Sequence, residues 1–447
     1  MTMHRAYRSR SARGRLSAAA AEAWIPRTCF KHGPPGRVGV ELELLVHDRH
    51  HPGRPTDGPA FDPLRRAAGE VLLASRVTLE PGGQVELSSA PHDHVTAALA
   101  EVLADLTRLR GVAAGHGADL VGLALDPRVV HRRVLAEPRY AAMEAYLDRW
   151  GPAGRVMMRR TASVQVNVEA SAGAAGDAQR RWTLLHAVGP PLVAAFANSP
   201  GPSDTPWAGW PCGRMGVWLA LDPERTGQAP QRPGEPAEQA WARWALDAPL
   251  LLVRRPAGPW TPPAASFRDW LEGGRDVVPE RPPPDLDDLA YHLTTLFPPV
   301  RPRGHLEVRY VDAQPGDWWA VPVAVLWALA ADPSAGERAV AACAGQRGRW
   351  LDAARCGLRD DGLAAAALGV LDAAADALAA APATAGCARL VRAYRDHWTA
   401  RRRCPADDRL DGVPTPPAAL ERALVPALRQ GAGSPLEPAP DRKDLPC

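Results

Sequence analysis

Two glutamates separated by a single residue, Glu41 and Glu43 in residues 37–46 (RVGVELELLV), are the first side chains that suggest chemistry. In an extended strand, residues two apart face the same way at a separation of about 7 Å. The pair therefore forms a carboxylate edge, while Val40, Leu42 and Leu44 face the other way. Residues 78–89 (TLEPGGQVELSS) give a second such edge, as two strands around Pro81-Gly82-Gly83 with Glu80 before the turn and Glu86 after it. Three more stretches alternate in the same manner. Residues 160–169 set Val164, Val166 and Val168 against Ser163, Gln165 and Asn167. Residues 213–221 read as a strand with Arg214 opposite Met215, Val217 and Leu219. Residues 305–312 set Glu307 and Arg309 against Leu306, Val308 and Tyr310.

Any one of these strands is what an antiparallel sheet with a wet face produces. The set says more, because two strand regions carry carboxylate pairs with no basic partner on the same face. Crowded carboxylates repel, and a hard divalent cation with oxygen ligands is the natural remedy. Magnesium ions bridging the phosphates of ATP require a surface of this kind. The pattern points to a metal–nucleotide site.

The elements that must hold this site alternate irregularly between about residues 37 and 400. Helices are expected over residues 17–29, over 95–114 with Leu99, Leu103, Leu106 and Leu109 on one side, and over the Ala-rich 362–381. Pro-rich loops interrupt near 200–211, 228–236 and 255–264. Without regular βαβ spacing, the mixture indicates an α+β fold. Residues 1–14 read as a disordered basic start, 15–411 as a single catalytic domain, and 412–447 as a Pro-rich tail with one helix near 417–429.

Composition narrows the function. With 46% apolar and 23% charged residues, the chain is an ordinary globular protein, and a net charge of +3 argues for neither nucleic acid nor a membrane surface. No stretch reads as a signal peptide or as a membrane span. Seven cysteines form no C-x-x-C pair or zinc spacing, which suits reduced thiols in a cytoplasm. Lysine occurs only at Lys31 and Lys443, so a phosphate-loop or Schiff-base lysine is ruled out over most of the chain. If the protein handles ATP, metal ions and arginines must carry the phosphate charge. No Ser–His–Asp pattern is evident either.

Six ordered segments carry a resemblance: CFKHGPPGRVGVELELLVHD, LEPGGQVELSSAP, PRYAAMEAYLDRWGPAGRVMMRRTASVQVNVEA, FANSP, GRMGVWLALDPERTG and HLTTLFPPVRPRGHLEVRYVDAQP. They are similar to the glutamate–cysteine ligase family, first to the actinobacterial branch that supplies γ-glutamylcysteine for ergothioneine and next to the plant enzymes. The resemblance implies a glutamine-synthetase-like fold, a curved antiparallel sheet forming a funnel with helices outside. It implies ATP and Mg²⁺ as cofactors, L-glutamate and L-cysteine as substrates, and a γ-glutamyl phosphate intermediate. By the matching motifs it makes Glu41, Glu43, Glu80, Glu86, Gln165 and Glu307 metal ligands, Gln165 standing where some relatives have histidine. It makes Glu307 and Arg309 catalytic, with Arg309 also near the ATP phosphates, and Arg139, Arg214 and Asn167 substrate-binding. Arg159 and Arg160 receive no role. Two other readings stay open: a carboxylate–amine ligase with a different acceptor, and a catalytically silent nucleotide- or glutamate-binding homologue.

Overall fold

The computed structural model describes residues 16–414 except 35, 129–131, 204, 257 and 280, together with residues 416 and 423. The basic start and nearly all of the Pro-rich tail, with its expected helix, lie outside these residues.

Seven strands form one antiparallel sheet: β1 (Val38–Asp48), β2 (Arg76–Leu79), β3 (Val85–Ser88), β4 (Ala118–Val121), β5 (Ser163–Glu169), β6 (Val300–Pro302) and β7 (His305–Asp312). Their order is β2-β3-β1-β5-β7-β6, with β4 added to the far half of β1, and the sheet is open. The α+β class expected from the sequence is the class observed. Alternation explains the orientation. Val40, Leu42, Leu87, Val164, Val166 and Val308 are all buried on one face, where helix Ala320–Ala331 packs, itself apolar nearly all round. Each such side chain stabilises the fold by roughly 1.5–3 kcal/mol relative to exposure. The polar residues are thereby left on the other face.

Register then aligns them. Glu43 stands opposite Glu86 across the β1–β3 pair, and Glu41 opposite Gln165 across β1–β5. Asn167 faces Glu307 across β5–β7, and Glu307 faces Arg301 across β6–β7. Two carboxylates directly opposite each other destabilise a sheet, so the Glu43–Glu86 pairing is a cost that folding alone would not select.

Two expectations about elements are corrected. Residues 213–219 are a helix rather than a strand, with Gly213 through Met215 and Gly216 and Val217 buried without alternation, and Leu219 exposed. A run of apolar residues this short does not separate a strand from a buried helix. What decides is close packing: a Cβ on Gly216 would lie 2.4 Å from the Trp207 ring. The second correction is that helix Asp361–Ala379, capped by Asp360 through the Leu363 N–H (2.9 Å), is long and apolar enough to cross a membrane. In the fold Leu363, Val370, Leu371 and Leu378 are buried in contact with helices Ala320–Ala331, Pro333–Ala342 and Ala385–His397. It is a core helix.

Candidate active site

On the polar face of the sheet lies a cavity of ≈ 280 Å³ whose wall includes Glu41, Glu43, Glu80, Glu86 and Glu307. Gln165, Arg139, Arg301, Arg303 and Arg309 also line it. Eight of the ten residues expected from the sequence thus share one cavity. The other two do not line it.

The carboxylates of β1 are held by neutral donors. Glu43 accepts from the Ser163 N–H (2.8 Å), the Ser163 hydroxyl (3.0 Å) and the Gln165 amide (2.9 Å). Glu41 accepts from the Asn167 amide at 3.0 Å. Glu86 accepts from the hydroxyls of Thr78 (2.8 Å) and Ser88 (3.0 Å). Among the described residues none of Glu41, Glu43, Glu80 and Glu86 has a cationic partner within ion-pair distance. Burial, reinforced by the charges of Glu307 and Glu86, raises Glu41 to about 7. Burial and Glu86 raise Glu43, and burial with Glu86 and Glu43 raises Glu80 well above the carboxylate range.

Glu80 owes its place to the Pro81-Gly82-Gly83 turn. A Cβ on Gly82 would stand 2.1 Å from the Arg159 carbonyl oxygen, and Gly83 has φ +89°. Gln84 clamps the turn, accepting from the Gly82 N–H (3.0 Å) and donating to the Thr161 carbonyl (2.8 Å). Arg159 and Arg160, given no role by the sequence, tie this region together. Arg159 Nε donates to Glu144 at 2.9 Å, and Arg160 Nε to the Asp126 carbonyl at 2.8 Å.

Glu307, which belongs to neither of the two carboxylate pairs, is different. It is fully buried and accepts from Arg301 Nε (2.6 Å) and Nη2 (2.9 Å), and from Arg309 Nη1 (2.9 Å). These guanidiniums outweigh the burial that would raise it and hold it well below the usual carboxylate range. Arg301 and Arg303 were missed as site residues. They stand in the quoted segment PPVRPRGHLEVR, and the signal was their spacing of two ahead of the Glu307 strand.

The arginines expected to bind substrate part company. Arg139 lines the cavity, donating to the Thr294 hydroxyl (2.9 Å) and carbonyl (2.8 Å), with its guanidinium over the Tyr291 ring. Arg214 lines a neighbouring hollow of ≈ 180 Å³ that shares only Trp218 and Arg309 with the cavity. It is buried, donates to the Arg309 carbonyl at 2.7 Å, stands 3.6 Å from Asp312 and stacks on Trp218. Asn167 supports Glu41 from outside the lining. Glu169, the last residue of β5, is buried.

Does this surface suit a magnesium ion? Among the described residues no three acidic, histidine or cysteine side chains stand where they could enclose an ion by themselves. Magnesium is commonly bound by one or two carboxylates plus phosphate oxygens and water, not by an all-protein cage. Paired carboxylates that resist ionisation for want of a positive charge fit that mode. Glu307, saturated by arginines, fits it least.

A family model described as glutamate–cysteine ligase family 2 matches residues 37–413. The chain is 40% identical over 423 residues to glutamate–cysteine ligase EgtA of Mycolicibacterium smegmatis, covering 93% of this chain and 94% of that one. It is 38% identical over 402 residues to glutamate–cysteine ligase EgtA of Mycobacterium tuberculosis, covering 89% and 90%. A solved structure of glutamate–cysteine ligase from Francisella tularensis in complex with AMP superimposes with a TM-score of 0.51 at 13% identity, over 92% of this chain and 91% of that one. That likeness is one of fold.

Proposed function

The chain belongs to glutamate–cysteine ligase family 2, and from that membership we infer that it joins the γ-carboxylate of L-glutamate to the amine of L-cysteine with cleavage of ATP. The observation that carries the reading at the site is the row of carboxylates on β1 and β3, held by neutral donors and short of positive charge. A nucleotide triphosphate brought with Mg²⁺ supplies what such a row lacks.

The reaction has two steps. A γ-carboxylate oxygen attacks the terminal phosphorus, the bond to the β,γ-bridging oxygen breaks, and ADP leaves with the electron pair. The amine of cysteine then attacks the acyl carbon, phosphate departs, and the nitrogen loses a proton. Glu41, Glu43, Glu80 and Glu86 would hold Mg²⁺, with the Gln165 amide oxygen beside them. When bound, the metal neutralises phosphate charge and aligns the attack. Glu307 holds Arg301 through Nε and Nη2 and Arg309 through Nη1, an arrangement that would present Arg309 to the phosphates. Arg139 presents a planar donor set suited to a substrate carboxylate. We place the enzyme in the cytoplasm, and its product in ergothioneine biosynthesis.

The test is ATP turnover with glutamate and cysteine, singly and together. Turnover that requires both is expected. Turnover with glutamate and another amine would make the chain a different carboxylate–amine ligase, and nucleotide binding with no turnover a silent homologue.

A further inference from the structure

Four guanidiniums stand on the cavity wall, and three of them make two or more hydrogen bonds. Arg301 uses Nε and Nη2 on Glu307 and Nη1 on the Leu296 carbonyl (3.1 Å). Arg139 is fixed on Thr294. Arg309 Nη1 is shared between Gln165 (2.8 Å) and Glu307. Arg303 differs. Its side chain makes one contact among the described residues, a 3.5 Å approach of Nη1 to Glu307, and is 32% exposed. A guanidinium carries five donors, so most of those on Arg303 have no protein acceptor.

The backbone beneath this loose side chain is rigid. The Arg303 N–H donates to the His305 carbonyl at 2.8 Å, and the Gly304 N–H to the Cys29 carbonyl at 2.8 Å. Gly304 has φ +89°, a conformation that favours glycine. The β6–β7 turn is thus a fixed mount, and Arg303 an arm free to swing over the cavity. Arg303 lines the same cavity as Glu41, Glu43, Glu80, Glu86 and Glu307.

We propose that Arg303 is the arginine that closes on the terminal phosphoryl group of the nucleotide as that group passes to the substrate carboxylate. During the transfer, charge spreads over the three equatorial phosphoryl oxygens, and a forked cation positioned there lowers the barrier. The oxygen–phosphorus bond to the carboxylate forms as the bond to the bridging oxygen breaks, ADP takes the electron pair, and Arg303 exchanges no proton. The chain has only two lysines. Lys443 lies in the tail, and Lys31, though beside Gly304, is exposed and outside the lining.

This role deepens the ligase reading and rests on it for the identity of the reaction. The experiment compares Arg303→Ala and Arg303→Lys with the parent in three respects: steady-state turnover, calorimetric binding of ADP, and calorimetric binding of a non-hydrolysable β,γ-imido ATP analogue. With one long contact to lose, both variants are expected to melt with the parent. Arg303→Ala should lose about a hundredfold or more in kcat, keep its ADP affinity within about threefold, and bind the analogue about tenfold more weakly. Added guanidinium should restore part of the kcat, which a structural role would not allow. Turnover and analogue affinity within about twofold of the parent would overturn the proposal, as would equal losses for ADP and the analogue. If the parent itself fails to consume ATP with glutamate and cysteine, the ligase reading falls, while the analogue-against-ADP comparison still decides Arg303.

Discussion

Glu80 separates function from folding more sharply than any other side chain on the acidic row. Its carboxylate makes no hydrogen bond among the described residues, and burial, followed by the charges of Glu86 and Glu43, raises its pKa. Removing that charge should therefore stabilise the metal-free protein while damaging the reaction, the trade-off expected of a strained functional group. Glu80→Gln is expected to raise the metal-free unfolding free energy, and to lower turnover by about a hundredfold or more. Parallel denaturant melts and kinetics check both halves; a less stable variant with normal turnover would remove Glu80 from the site. The glutamates were legible because a period of two places them on one face whatever the surrounding fold. Arg301 and Arg303 were not, since their meaning arises only when β6 pairs with β7 and sets Arg301 opposite Glu307.

At the scale of elements, strands were read well and one helix was not. β1, β3, β5 and β7 carry alternation over lengths that only a sheet satisfies, and the turn at Pro81-Gly82-Gly83 announces itself by composition. Helix Gly213–Leu219 has apolar residues at every second position and deceives for that reason. Its consequence is a new role for Arg214. From the helix, this buried guanidinium reaches the Arg309 carbonyl and the carboxylate of Asp312, two residues of β7. Asp312 also accepts from the Asn198 N–H (2.8 Å) and the Ser199 hydroxyl (2.5 Å). Arg214 thus fastens the helix to the strand that carries Glu307 and Arg309. Truncating one member of a buried ion pair leaves the other uncompensated, at a cost of about 3–5 kcal/mol. Arg214→Ala should lose stability on that scale, and activity with it. Arg139→Ala, whose partner is the neutral Thr294, should lose much less stability. Equal and small losses in the two melts would return Arg214 to the list of substrate contacts alone.

The whole molecule behaves as a scaffold that folds around unneutralised charge, and its stability should reveal what neutralises it. In the metal-free protein Glu41 is raised to about 7, and Glu43 and Glu80 are raised with it, chiefly by burial and then by neighbouring carboxylates, Glu307 and Glu86 for Glu41 and Glu86 for the other two. A carboxyl whose folded pKa lies above its unfolded value contributes stability that is fully present below about 4.3. That contribution is lost as pH rises through the folded value. From pH 6 to pH 8 the metal-free protein should therefore weaken. His186 and His292 act in the opposite direction but in another window. Burial lowers them to about 4 and about 3, so they weaken the fold only as pH falls below about 6.5, where the unfolded chain takes up protons. Magnesium binds the ionised carboxylates and must displace their protons, so the stabilisation it confers should be small at pH 6 and larger at pH 8. For Glu41 alone the difference amounts to about 1 kcal/mol. Thermal melts of the parent at the two pH values, with and without Mg²⁺ and the β,γ-imido analogue, measure it directly. Glu41→Gln, lacking the titrating group, should show a flatter dependence than the parent. A magnesium-induced rise in Tm that is as large at pH 6 as at pH 8, in parent and variant alike, would mean that the cation sits elsewhere and that the carboxylate row of β1 and β3 does not hold it.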